Sequence, residues 1–506
     1  MTNTAYHEIP NGGMARSAKL AALPLAFTGR AAAGWGRRLA GADGEAVSAM
    51  ATARNAEQLF TVLGQLKGGA MKVGQALSVY DAMIPADIAE PYHRALSRLQ
   101  STGPSMPARD VRRVLDEQLG SQWRRRFRDF DEVPAAAASV GQVHRAVWAD
   151  GRAVAVKIQY PGADLALDAD LRTLARFSRL FTLIVPGLDA RAVMRELRER
   201  MLDELDYRAE ADRQRAFAAA FAGDDALVVP AVVASAPKVL VSEWLDGVAL
   251  GAIIGRPAVD ATDQVRRDRH AHTVLETMFS SPARLGLLHA DPHPGNFMAL
   301  ADGRLAMIDY GAVAALPGGI PPVLAQILRH VADAEPDAMM ALLRAEGFVA
   351  RTVAADDVLR YIGALGDPLR VERFHFHRAW MKRQGERVVN LRGRAYWETG
   401  RALTLPVQYL LVVRVLSGWM NILAQLDCTV AARGLAQRWV PGFAGGRSRQ
   451  APVRITRGGR PAPVDRPVPA FPPAPVGPSA PEPFVAEAQG LSTGATGRSE
   501  SGRSSC

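Results

Sequence analysis

Apolar and polar positions divide the chain into a β-rich early part and a helical remainder. The pattern is helical from residue 44 to about 130, punctuated by Gly68-Gly69 and Pro85. Two β-rich runs follow, Gln142–Trp148 and Ala153–Gln159, with the strong turn signal Asp150-Gly151 between them, and together they predict a hairpin. Residues 189–222 read as one long charged helix, Lys238–Trp244 as a buried strand and Leu305–Asp309 as a short one. From about residue 260 the pattern is mostly helical, broken by His289–Asn296. Strands first and helices later predict a two-lobed α+β protein.

The most apolar stretch, Leu403–Leu426, is a poor membrane span. Arg414 sits at its centre, Gln408 and Asn421 flank it, and Pro406 interrupts it. An arginine at mid-bilayer costs about 2.5–3.5 kcal/mol, so a buried C-terminal helix is the better reading. Near the start, Ala15–Leu39 reads as a basic amphipathic segment suited to an anionic membrane surface, or as a helix packed on the domain.

Composition narrows the classes. The chain has 506 residues, 48% of them hydrophobic and 22% charged, which excludes a wholly disordered or fibrous protein. Cys428 and Cys506 alone build neither a disulfide framework nor a cysteine zinc site, which fits a reducing cytoplasm. The net charge of +10 admits nucleic acid, anionic lipid or nucleotide phosphates. Nucleic acid is set aside because the positive charge is spread out and lacks interleaved aromatics. Residues 443–506 hold 11 of the 33 prolines, and that composition predicts a disordered tail.

The chemistry-bearing segment is His289-Ala-Asp-Pro-His-Pro-Gly-Asn296, a loop because two prolines and a glycine forbid helix. Asp291 and Asn296 are followed by Ile308-Asp309-Tyr310-Gly311 at the end of a short apolar run. Phosphoryl transfer needs one carboxylate to orient or deprotonate the nucleophile, and a carboxylate plus an amide to hold the metal on the phosphates. The kinase pattern H-x-D-x-x-x-x-N followed by D-F-G has the same Asp-to-Asn interval, with Tyr310 here replacing Phe. Asp291 is therefore the candidate catalytic carboxylate, with Asn296 and Asp309 the candidate metal ligands. A tight loop whose Asp and Asn only cap backbone groups is the alternative.

Upstream, Val154-Ala-Val-Lys157 matches the V-A-I-K strand whose lysine reaches the α- and β-phosphates. A lysine ending an amphipathic strand is also an ordinary solvated edge residue. Where kinases carry a glycine-rich loop, this chain has Pro134-Ala-Ala-Ala-Ala-Ser-Val-Gly-Gln-Val-His144. Alanine tolerates positive φ less well than glycine, so this loop should be stiffer and approach phosphate differently.

This combination resembles the UbiB (AarF/ADCK) family of atypical protein-kinase-like proteins, over residues 45–435. Lys72-Val-Gly-Gln75 is similar to the family's K-x-G-Q motif, Ala135–Ser139 to its alanine-rich loop and Glu204-Leu-Asp206 to its E-x-D motif. Asp291, Asn296 and Asp309 fall in its ATP–metal positions, and Glu210 matches the helix glutamate that pairs with the nucleotide lysine, here Lys157.

The resemblance implies a bilobal protein-kinase-like fold, ATP with Mg²⁺, and an association with isoprenoid quinone biosynthesis or lipid homeostasis. It organises the chain as a basic amphipathic segment (1–43), a helical extension (44–130), an N-lobe (131–245), a C-lobe (246–440) and a disordered Pro-rich tail (441–506). It implies that Ala135, Ala136, Ala137, Ala138, Ser139, Val140, Gln142 and Val143 cover the nucleotide. Backbone groups of Glu243 and Leu245 would read adenine. Lys72, Glu204 and Asp206 would join Lys157, Glu210 and Asp291 in the catalytic set. On a regular helix Asp206 and Glu210 share a face and Glu204 does not, so Glu204 is expected to face Lys72 and Glu210 to face Lys157. A solvated face paired with nearby arginines is the alternative.

The K-x-G-Q extension folds over the protein-substrate site in this family, so ATPase activity or small-molecule phosphorylation is expected ahead of protein phosphorylation. His293 replaces a basic residue that many kinases carry there, and neutral imidazole is a weaker phosphate ligand. Many members carry C-terminal transmembrane helices; the Pro-rich tail here leaves peripheral contact with an anionic membrane. An isoprenoid lipid or quinone precursor is the implied partner. An aminoglycoside- or choline-type phosphotransferase and a non-catalytic ATP-gated scaffold are the competing readings.

Overall fold

The computed structural model describes residues 105–138, 140–163, 205–254, 256–389 and 394–444. The amphipathic N-terminal segment, the helical extension up to residue 104 with Lys72 and Gln75, Ser139, Glu204 and the Pro-rich tail lie outside the described residues.

Alternation along the two β-rich runs builds the first sheet. Strands β1 (Phe127–Phe130), β2 (Ala136–Ala138), β3 (Gly141–Trp148) and β4 (Ala153–Gln159) form its first part. After the two-residue β5 (Leu227–Val228), which joins another sheet, β6 (Val232–Ala236) and β7 (Val239–Glu243) complete it. The order is β1-β3-β4-β7-β6, with β2 beside β3, and every pairing is antiparallel. Val154, Val156 and Ile158 bury one face completely, which sends Lys157 to the other. The β3–β4 turn contains Gly151 at φ 98°, a conformation that favours glycine. Gly141 is needed for another reason: a Cβ there would lie 2.2 Å from the Ile158 carbonyl oxygen.

Helix α1 (Ala108–Leu119) lays Val111, Val114, Leu115 and Leu119 against β4 and β7, a stripe at helical spacing. The helical reading of the segment ends before β1, because a four-residue strand is too short to display its period. What holds β1 is aromatic packing: Phe127 meets Trp148 edge-on at 4.9 Å, and Trp123 meets Phe130 at 5.3 Å.

Helix α2 spans Tyr207–Ala220. The reading of one continuous helix from residue 189 is corrected at Asp206, whose backbone is extended (φ −101°, ψ 99°) and whose side chain accepts from the Arg208 amide at 2.9 Å. Aspartate at that position satisfies an orphan amide of the first turn and starts a helix rather than continuing one. The shared-face argument for Asp206 and Glu210 therefore fails.

The second lobe is mainly helical. Its long helix α3 (Ala261–Leu285) starts on an Asp260 cap and stops at Gly286 in the left-handed region. Helix α4 (Val407–Leu426) follows Pro406, and α5 (Ala432–Trp439) packs on α3. Of the short strands among them, the sequence pattern anticipated only the one within Leu305–Asp309. Strands β8 (Gly247–Ala249), β10 (Phe297–Leu300) and β11 (Leu305–Met307) form a sheet ordered β5-β11-β10-β8, while β9 (Leu287–His289) pairs with β12 (Val313–Ala315). A last pair joins β13 (Phe374–Phe376) to β14 (Cys428–Val430).

Helix α4 is long and apolar enough to cross a membrane by length and composition, yet half of its apolar window is buried in this lobe. Its inner side carries Trp419, packed on Phe297 at 5.4 Å and on His289 at 6.1 Å. At Gly418 a Cβ would lie 2.3 Å from Pro292 Cγ, so glycine is what lets the helix touch the His289–Asn296 loop. Gly418→Ala should therefore lower stability by about 1–3 kcal/mol through overpacking. Thermal unfolding checks this, and an unchanged Tm would show that the loop yields freely.

Candidate functional site

Lys157 projects from β4 opposite Val143 of β3 and Leu240 of β7, and α2 crosses that face through Tyr207 and Ala211. This brings Glu210 to Lys157, with Nζ donating to Oε1 at 2.6 Å. A second carboxylate arrives from the other lobe: Asp309 Oδ2 accepts from the same Nζ at 3.3 Å. The ammonium also lies 5.0 Å from the Tyr207 ring centroid. Burial alone would push the Lys157 pKa down, but the charges of Asp309 and Glu210 outweigh it and hold the group well above its usual value.

Asp309 sits just beyond β11, where Oδ1 accepts from the Gly311 amide at 2.9 Å and its backbone carbonyl meets His289 Nε2 at 2.8 Å. Tyr310 is fully buried, with its hydroxyl donating to the Met307 carbonyl at 2.9 Å and its ring against Phe217 of α2. Arg213, one turn beyond Glu210 on α2, donates to the Gly311 carbonyl at 2.9 Å. Helix α2 thus grips the Asp309-Tyr310-Gly311 segment through charge, ring packing and a backbone acceptor.

The loop after β9 is self-bonded. Asn296 Nδ2 donates to the Asp291 carbonyl at 3.1 Å and to its Oδ2 at 3.0 Å. His293 caps the turn Pro294–Asn296, its Nδ1 accepting from the Gly295 amide at 3.0 Å. The Ile308 amide donates to the Asn296 carbonyl at 2.9 Å and ties this loop to the segment bearing Asp309. From α4, Arg414 donates to the Ala290 carbonyl at 3.3 Å.

Lys157, Glu210 and Asp309 therefore meet directly, and Asp291 meets Asn296 beside them. Other anticipated residues stand elsewhere. Asp206 is an exposed helix cap. Gln142 is buried, its Oε1 accepting from the Met106 amide at 2.7 Å and its Nε2 bonded to His144 at 2.8 Å. Val140 is buried against Tyr207, Ala211 and Leu240. Both side chains are committed to the core. The alanine-rich loop is in part a strand, with Ala136 and Ala137 exposed on β2 and Ala135 donating to the Val143 carbonyl at 2.8 Å. At the connection between lobes, the Glu243 amide donates to the Ala231 carbonyl at 2.9 Å, and Leu245 is partly exposed. Arg213 and Gly418 escaped the sequence reading, and Arg414 entered it only as an obstacle to a membrane span. Only Arg213 carried a signal, its helical spacing from Glu210.

An antiparallel sheet with a lysine–glutamate pair, a mainly helical part with an Asp/Asn loop, and Asp309 reaching that same lysine define a kinase-like protein. The family model described as ABC1 atypical kinase-like domain matches residues 98–343. Atypical kinase COQ8B, mitochondrial, of Rattus norvegicus is 30% identical over 299 residues, 58% of this chain and 55% of that protein. Protein ACTIVITY OF BC1 COMPLEX KINASE 1, chloroplastic, of Arabidopsis thaliana is 31% identical over 61% of this chain and 45% of its own length. The chain thus spans about half the length of these curated relatives. A solved structure, the complex of Rv3197 with erythromycin from Mycobacterium tuberculosis, is 44% identical with a TM-score of 0.60, covering 79% of this chain and all of that one. The chain belongs to the ABC1 atypical-kinase-like family, also called UbiB.

Lys157→Ala leaves Glu210 and Asp309 as facing, uncompensated carboxylates, and should cost about 3–5 kcal/mol in denaturant unfolding. Lys157→Ala/Glu210→Ala should cost less than the sum of its parts. Because the lysine is held above its usual value, its contribution is complete below the ordinary lysine range and fades only as pH rises through the elevated one. The coupling energy should therefore be the same at neutral and mildly alkaline pH.

Proposed function

We propose that the chain binds Mg-ATP at the cleft between Lys157 and Asp309 and turns it over, as an ATPase or as a kinase for a small molecule or lipid. The observation that carries this reading is the unbalanced charge at that point. One ammonium faces two carboxylates, so a bound cation would neutralise the excess. Among the described residues no cluster of three or more His, Cys, Asp or Glu forms a metal cage. That suits magnesium, which takes one or two protein oxygens and fills its shell with phosphates and water.

Asp309 and Asn296 would hold the metal. The two bonds that Asn296 Nδ2 makes to Asp291 leave its Oδ1 as the ligand atom. Magnesium supplies charge neutralisation at the phosphates. Lys157 would bind the α- and β-phosphates, oriented by Glu210, and Asp291 would orient or deprotonate the attacking hydroxyl. Adenine would meet the Glu243 carbonyl and the Leu245 amide, since the Glu243 amide is already committed to Ala231. Met298, alternating with the buried Phe297 on β10, is a further candidate for the cleft floor.

The family resemblance supports an isoprenoid quinone precursor or lipid as the molecule served. A second ligand class is favoured by the solved relative crystallised with erythromycin, which makes a macrolide a candidate for this chain as well. The test is Mg-ATP hydrolysis by the purified chain, alone and with liposomes, a quinone-precursor-like phenol or erythromycin. Asp309→Asn should lower turnover by roughly 100-fold or more, as should chelation of magnesium. Tight ATP binding without turnover under every condition would replace this reading with a nucleotide-gated scaffold.

A further inference from the structure

The second lobe carries an open depression of about 490 Å³, lined mostly by exposed residues. Lys157, Glu210, Asp291, Asn296 and Asp309 are all absent from its lining. Its wall forms where the short helix Leu250–Ile254 and the chain beyond it meet α3, the end of α4 and the segment following β13.

The charges on that wall are unequally answered. Arg267 of α3 is 2% exposed and fully committed: Nε donates to Asp263 Oδ2 at 3.2 Å, and Nη2 to the Arg256 carbonyl at 2.9 Å. Asp427, in the left-handed region at the end of α4, is met by His375 Nε2 at 3.0 Å. Arg378 donates only to a backbone carbonyl, that of Ile254, at 3.3 Å. The Arg256 guanidinium makes no hydrogen bond or ion pair with the described residues, so two exposed arginines on one depression stand without a carboxylate among the described residues. His377 Nδ1 accepts from the Trp380 amide at 3.2 Å, which puts the proton of the neutral ring on Nε2 and adds a donor. Ile254, Pro257 and Ala379 supply apolar wall.

We propose that this depression binds a phosphate monoester, its dianion taken by Arg256 and Arg378 and its organic substituent by the apolar wall. Two unanswered guanidinium groups match a doubly charged group, and the guanidinium fork matches phosphate oxygens. A monocarboxylate would leave one of the two unanswered. The site is independent of the nucleotide reading above, yet its walls serve the catalytic loop too. Helix Leu250–Ile254 packs on the turn Pro294–Asn296, and α4 touches Pro292 through Gly418 before reaching the depression at Gln425. The phosphate could belong to a lipid headgroup or to a soluble metabolite, and the experiment separates these.

Thermal unfolding of the full chain would be followed with inorganic phosphate and with dioctanoyl phosphatidic acid, each against chloride at matched ionic strength. The expected result is a Tm rise of about 2 °C or more, lost in Arg256→Glu and in Arg256→Ala/Arg378→Ala. Since the exposed Arg256 side chain makes no hydrogen bond or ion pair with the described residues, Arg256→Glu should keep the parent near-UV circular dichroism in chloride. A larger rise with phosphatidic acid than with phosphate assigns the site to a lipid headgroup, and equal rises assign it to a free phosphate compound. No rise with either probe, or a rise that survives Arg256→Glu, overturns the proposal.

Discussion

The contact on which the rest of the structure depends is the enclosure of one ammonium by two carboxylates. Lys157 takes Glu210 from a helix 53 positions away and Asp309 from a segment 152 positions away. The lysine side chain is 14% exposed and the glutamate 2%, so each has lost most of its hydration. Buried ion pairs are seldom the most stable way to fill a core; apolar residues of similar volume often do as well or better. What this triad supplies is registration. Sheet, helix α2 and the Asp309 segment are fixed to one another at a single charged point that tolerates little displacement.

Around that point the neutral contacts repeat the same connection. Phe217 packs on Tyr310, and Arg213 holds the Gly311 carbonyl, so α2 constrains the segment on both sides of its charged contact. Tyr310 fits as a replacement for phenylalanine because its hydroxyl finds the Met307 carbonyl inside the core, where an unpaired phenol would be costly. The Asp291–Asn296 loop reaches the same segment through the Ile308 amide. Any shift of α2 should therefore be felt at Asp309 first and at Asn296 second.

Legibility in the sequence follows how local each feature is. Lys157, Asp291, Asn296 and Asp309 sit in short motifs whose spacing is fixed by a strand end or a proline-rich loop, and such spacing survives any tertiary arrangement. Gln142 was assigned by membership of a motif, against its own geometry. Val143 stands opposite Lys157 in the hairpin, so alternation sends Gln142 to the other face, a consequence that the β-rich runs already contained. Asp206 misled for the opposite reason: charge periodicity continues through it, while its role as a helix cap depends on one backbone conformation. Apart from β11, read within Leu305–Asp309, the short strands β8 to β14 were illegible because three or four residues show no period; their pairing partners, distant in sequence, define them.

Helix α4 shows how a tertiary role can reverse the meaning of composition. Its hydropathy alone would admit a membrane span, and its central arginine argues against one, at about 2.5–3.5 kcal/mol on insertion scales. Inside the lobe the same arginine gains an acceptor, the Ala290 carbonyl immediately before Asp291. Four positions on, Gly418 leaves room for Pro292 where a Cβ would meet its ring, and Trp419 fills the space beside His289 and Phe297. A polar anchor, with a bare backbone position and a large ring one turn later, is what a rigid support for a proline-rich loop requires. Val415, Ile422, Leu423, Ala424 and Leu426 bury the same helix in the core. The high apolar content of α4 thus serves as a floor for the Asp291–Asn296 loop.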